Sequence, residues 1–160
     1  MPRFKSFFLT IILIVAVFCS IPSYAGFSGF SVEEEKELGQ KFYILLHSQF
    51  KFVKDPVVTN YVHQVANQIK DVLPSQPFKI RINVIKNNKI NAFAAPAGYV
   101  YLNTGLILKM QSESELAAVI AHEFAHVKER HLAKNIQRSK YLNIVTLAGV
   151  LAGALVGVGA

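Results

Sequence analysis

Two histidines four residues apart sit inside an apolar run: Leu116-Ala117-Ala118-Val119-Ile120-Ala121-His122-Glu123-Phe124-Ala125-His126-Val127. A run this apolar has to be buried. Ser112 and Glu115 precede it in the S-x-x-E pattern that caps a helix start. The spacing predicts one helix over roughly 113–137. On a helix, positions i and i+4 share a face, so the two imidazoles lie one turn apart. Two ring nitrogens can then converge on one zinc ion. Glu123 is the next residue round from His122 and can reach water at such an ion without ligating it. A carboxylate there can take the proton as water attacks a peptide carbonyl, then pass it to the leaving amine. The competing reading is a pair of core histidines spaced by accident, but a buried histidine normally needs a dedicated partner.

The chain leading to this helix divides into helical and extended parts. Ser31 and Glu34 form a second capping box, ahead of Leu38, Phe42, Leu45 and Leu46 at helical spacing. Asp55-Pro56 opens another helix, with proline at the first helical position, where its missing N–H costs nothing. Val58, Tyr61, Val62, Val65, Ile69 and Val72 give that helix its apolar face. Phe78, Ile80, Ile82 and Val84 then alternate with Lys79, Arg81 and Asn83, the period of a half-buried strand. A polar turn at 86–89, a second strand over 90–95, turn chemistry at Pro96-Ala97-Gly98 and a third strand over 99–102 complete an expected antiparallel meander. The class is α+β: helices packed on a small, mainly antiparallel sheet.

Two blocks carry a resemblance to a known family. They are Asn91-Ala92-Phe93-Ala94-Ala95-Pro96-Ala97-Gly98-Tyr99-Val100-Tyr101-Leu102-Asn103-Thr104-Gly105-Leu106, and Ser114-Glu115 through His122-Glu123-Phe124-Ala125-His126-Val127. In this order and at this distance the chain resembles the CAAX prenyl-endopeptidase type of zinc metallopeptidase over residues 30–140. The resemblance implies a zincin-like fold with His122 and His126 as ligands of one Zn2+ and Glu123 as general base. It also implies that Asn91, Ala92, Phe93 and Ala94 form an edge strand pairing with an extended polypeptide substrate; an ordinary inner strand is the alternative. The family's third ligand is a glutamate on a later helix, and none follows within these 160 residues, so the chain reads as part of a longer protein. Glu129 does not replace it, because a third ligand one further turn along a straight helix cannot close round the same ion, and His131, nine past His122, is one short of the third histidine of the extended motif. The extended HExxHxxGxxH pattern fails at Glu129 and Leu132. His47, His63 and His131 read as surface or packing residues.

Composition matters mainly at the two ends. Arg3 and Lys5, an apolar core from Phe7 to Phe18, and Ser23-Tyr24-Ala25 have the form of a signal peptide over 1–25, with an uncleaved anchor as the alternative. Phe18 before Cys19 excludes a lipobox, and the single cysteine leaves with the signal. Losing Arg3 and Lys5 takes 17 basic residues to 15 against 10 acidic, a net charge of +5. That bias suits an anionic membrane surface. The absence of a recognised motif or aromatic-basic interleaving argues against nucleic acid. Residues 26–140 are the N-terminal part of the expected peptidase domain. Residues 141–160 are uncharged, with Gly149, Gly153 and Gly157 at four-residue intervals, and read as buried in the domain or membrane-associated. The function expected is a zinc-dependent metalloendopeptidase of the periplasm or cell envelope. Misassembled envelope proteins as substrates, and the outer-membrane assembly machinery as a partner, follow from the resemblance alone. A non-proteolytic zinc-binding or chaperone-like module and a membrane-embedded prenyl-protease-like enzyme are the alternatives.

Overall fold

Each helix begins where its capping chemistry places it. In the computed structural model, which describes residues 30–138, helix α1 spans Val32–Gln49 and opens on a complete capping box. The Ser31 hydroxyl accepts from the Glu34 N–H at 3.1 Å, and the Glu34 carboxylate accepts from the Ser31 N–H at 2.7 Å. Helix α2, Pro56–Lys70, is capped by Asp55, whose carboxylate accepts from the Val57 N–H. Strands β1 (Arg81–Ile85), β2 (Ala92–Ala95) and β3 (Tyr99–Asn103) follow, then a short helix α3 (Thr104–Ile107), α4 (Glu113–Lys128) and α5 (His131–Arg138). The α+β class holds. The signal-peptide region and the apolar segment 141–160 lie outside the described residues; among those described, no helix is long and apolar enough to cross a membrane.

The sheet is mixed rather than an antiparallel meander. Its order is β1-β3-β2, with β1 parallel and β2 antiparallel to β3. Alternating hydrophobicity fixes which face of a strand is buried but not which strand it pairs with. The partner is set here by the loop after β1. Thr104 Oγ1 donates to the Asn87 carbonyl and accepts from the Asn87 N–H, while the Gly105 N–H donates to the same carbonyl at 2.8 Å. A Cβ on Gly105 would lie 2.1 Å from the Asn88 carbonyl oxygen. The loop is thus pinned against the start of α3, past the end of β3, and delivers β2 to β3's far side.

Two cores flank the sheet. One is mostly aliphatic: Val62 and Val65 of α2, Ile82, Val84, Val100 and Leu102 of the sheet, and Leu116, Ile120 and Phe124 of α4. The other is aromatic: Phe42 and Leu46 of α1 cover Phe93 and Tyr101, whose rings stack at 5.1 Å. Fully burying a side chain of this size contributes about 1.5–3 kcal/mol. The outer edge of β1 is covered by residues 51–53, where the Val53 N–H donates to Val84 and the Lys86 N–H to Lys51. Strand β2 is the other edge, and it faces α4.

The long helix expected over 113–137 is two helices. Glu129 is still right-handed, but Arg130 has φ 49° and turns the chain before α5 begins. Neither glycine nor proline marks this break. Tertiary contacts hold it: Arg130 Nε and Nη2 each lie 2.8 Å from Glu35 Oε2, and Nη2 donates to the Phe30 carbonyl at 3.0 Å. Glu35 is buried and also accepts from the Ala97 N–H. Gly39 lets α1 come this close, since a Cβ there would lie 2.6 Å from the Pro96 carbonyl oxygen.

Candidate metal centre

The apolar face of α4 fixes where its polar residues point. Leu116, Ile120, Phe124 and Val127 are buried in the aliphatic core. That leaves His122 and His126 together on the flank, and Glu123 between the core and β2. His122 is exposed, His126 half-buried and Glu123 buried. The Nε2 atoms of His122 and His126 are 3.1 Å apart, with the rings edge to face. Two ligand atoms each about 2.0–2.1 Å from one tetrahedral zinc lie roughly 3.3 Å apart, so the pair fits a shared ion with almost no movement.

The electrostatics suit that use. Burial, then the neighbouring His122 and His131, holds His126 below the usual histidine range. A neutral imidazole is the form that ligates a metal. Burial pushes the Glu123 carboxyl above the usual carboxylate range; the charge of His122 and the backbone N–H of Ala94 act the other way. Among the described residues no group of three or more His, Cys, Asp or Glu could hold an ion. Two ligands and an adjacent carboxylate are what these residues supply.

Strand β2 bounds the site. In an antiparallel ladder, residues alternate between bonding their partner and pointing away. The Asn103 N–H donates to the Asn91 carbonyl at 3.0 Å, and the pairing continues as Phe93 with Tyr101. By that alternation the peptide groups of Ala92 and Ala94 face away from β3, toward α4. Phe93 turns its peptide toward β3 and its side chain into the aromatic core. A cavity of about 290 Å³ lies along this edge, lined by residues 92–95, Glu123, His126, Arg130 and His131 among others.

The structure brings together Glu123, His126, Ala92, Phe93 and Ala94 at this cavity, with His122 beside it through its contact with His126. Three residues there were not anticipated as site neighbours: Glu35, Arg130 and His131. Glu35 had left a trace, for it shares the face of Gly39, Phe42 and Leu46 on α1, where a carboxylate needs a buried partner. His131 Nδ1 is 2.9 Å from His126 Nδ1. Glu129 points elsewhere, pairing loosely with Lys128 and Lys134.

Comparison with known proteins settles the family. Residues 54–159 match the family described as Peptidase family M48. The chain belongs to peptidase family M48. The metallopeptidase resemblance read from the two sequence blocks is thereby borne out. Relatives of this M48 chain include the beta-barrel assembly-enhancing proteases of Yersinia pestis, 32% identical over 125 residues, and Escherichia coli K12, 30% identical over 128 residues. The alignments cover 78% and 80% of the chain but 26% of each relative. The mitochondrial metalloendopeptidase OMA1 of Schizosaccharomyces pombe is 31% identical over 122 residues, covering 74% of the chain and 36% of that protein. The M48 chain therefore spans about a quarter to a third of the length of these relatives.

Proposed function

We propose that the chain carries the catalytic helix and substrate edge of a zinc-dependent metalloendopeptidase of the bacterial cell envelope. The observation that carries this reading is the convergence of His122 and His126 Nε2 at 3.1 Å beside the buried Glu123, under the open edge of β2. Zinc held by the two imidazoles would supply Lewis acidity, polarising a carbonyl and easing deprotonation of water. Glu123 takes the proton of the attacking water on its carboxylate and returns it to the leaving amine. Its burial raises its affinity for a proton, which helps it take the one that the attacking water gives up. A substrate strand lies against β2 and bonds the outward peptide groups of Ala92 and the Ala94 carbonyl, while Asn91 and Phe93 hold the strand to β3. The alanine side chains let its backbone approach.

The third protein ligand comes from outside residues 1–160 in this reading. A catalytic zinc site uses three protein ligands and one open position, and residues 139–160 contain no His, Cys, Asp or Glu. Export by residues 1–25, with a mature N-terminus at Gly26, places the protein in the envelope. The name of the Yersinia and Escherichia relatives, beta-barrel assembly-enhancing protease, supports misassembled envelope proteins as substrates. The donor count is also what a non-proteolytic zinc module would offer. Zinc titration and cleavage of denatured casein, by residues 26–160 and by the full-length protein, separate the two. The expected outcome is weak zinc uptake and no chelator-sensitive cleavage from residues 26–160, with both tight zinc and cleavage from the full-length protein. Tight stoichiometric zinc with turnover from residues 26–160 alone would place the third ligand inside the chain. Zinc without cleavage at full length would favour the non-proteolytic module.

A further inference from the structure

His131 is an exposed residue at the start of α5, yet its Nδ1 lies 2.9 Å from Nδ1 of His126. A regular helix would not bring them together, because position i+5 lies about 140° round from position i. The contact exists because the helix breaks at Arg130, whose positive φ is held by its bonds to Glu35 and the Phe30 carbonyl. We infer that His131 is a positioning residue for His126, fixing its ring so that Nε2 presents a lone pair toward His122, and that the Glu35–Arg130 pair holds His131 in place to do so.

The chemistry follows from proton counting. Two ring nitrogens at 2.9 Å form a hydrogen bond only if one carries the proton and the other accepts it. A histidine whose Nε2 ligates a metal carries its proton on Nδ1. His126 Nδ1–H therefore donates to His131 Nδ1, and His131 keeps its own proton on Nε2. The same tautomer leaves His126 Nε2 free at the point it shares with His122. Because His131 meets the ring at Nδ1, the nitrogen that does not face His122, it acts behind the ligand and not as a third ligand. Partners that accept from the second nitrogen of a ligating histidine fix its tautomer and orientation, and losing one typically costs about 10–100-fold in metal affinity.

The inference rests on the zinc reading above, so its test has one arm that needs no metal. In the metal-free full-length protein, histidine-ring 15N–1H correlation spectra should show His126 protonated at Nδ1. In His131→Leu the ring should shift toward a mixture with the Nε2–H form, while circular dichroism stays unchanged, since leucine suits a helix. By competition with a chelator, His131→Leu should bind zinc about 10–100-fold more weakly. His131→Asp restores an acceptor and should bind within about threefold of wild type. An unchanged His126 tautomer in His131→Leu, or zinc affinity in that variant within about threefold of wild type, would overturn the inference. A wild-type protein that takes up no zinc would refute the metal reading instead, and the tautomer arm would then decide the role of His131 alone.

Discussion

The two ends of α4 are held by different physics. From Leu116 to Phe124 the helix lies in an aliphatic core, touching α2 and the sheet, and Ile120 and Phe124 are wholly buried. From His126 onward only Val127 still reaches that core, and directed polar contacts just past the helix end are added: the Arg130–Glu35 pair and the His131–His126 contact. Hydrophobic burial is roughly proportional to area and indifferent to direction. It sets where the helix lies and needs no metal to do so. Hydrogen bonds specify angle, and a ligand ring has to be held to angle. The apolar end keeps the motif against the sheet, and the polar end carries the His131 contact on the His126 ring.

Substitutions at the two ends should therefore fail differently. Phe124→Ala empties a buried aromatic site and should cost about 3–5 kcal/mol of global stability. Denaturant unfolding of the metal-free protein measures this, with a lower midpoint and an unchanged slope. Arg130→Ala should cost less, about 2–3 kcal/mol, since it strands the buried Glu35 carboxylate but removes a partly exposed partner. Its loss should also be local. Amide exchange should quicken across 126–136 while 116–124 keeps wild-type protection. Uniform loss along α4 would mean that the two ends are one cooperative unit.

A smaller effect concerns Glu123. Burial raises its folded-state carboxyl above the ordinary value of 4.5, so the metal-free fold disfavours the ionised form. Below the unfolded pKa the group is protonated in both states and contributes nothing. As pH rises from 4.5 to the folded value, the unfolded state is increasingly favoured by ionisation, and above the folded value the penalty stays constant. Glu123→Gln removes that penalty. Its metal-free Tm should match wild type near pH 3 and exceed it near pH 7. A Tm lower than wild type at pH 7 would mean that the Ala94 N–H and the His122 charge outweigh burial.

How much of this could be read from sequence follows the same division. The helix starts were legible because Ser31, Asp55 and Ser112 cap within three residues of themselves, a wholly local interaction. So were the shared face of His122 and His126 and the apolar face behind them, both consequences of helical period. The order of the strands was not, because the Asn87 loop binds Thr104 and Gly105, seventeen and eighteen residues away in sequence. Nor was the break at Arg130, which depends on a carboxylate 95 residues earlier. With the helix assumed continuous, His131 fell on the wrong face and its contact with His126 was invisible.

The most direct test of the central claim is Glu123→Gln in the full-length protein, with bound zinc and peptide-bond cleavage measured on the same sample. A group that moves a proton without ligating the ion should leave one zinc per site at wild-type affinity and lower kcat by at least about 10²–10⁴-fold. Loss of zinc together with activity would make Glu123 a ligand or a structural prop. Retention of more than a few per cent of wild-type cleavage would show that the proton passes through another group.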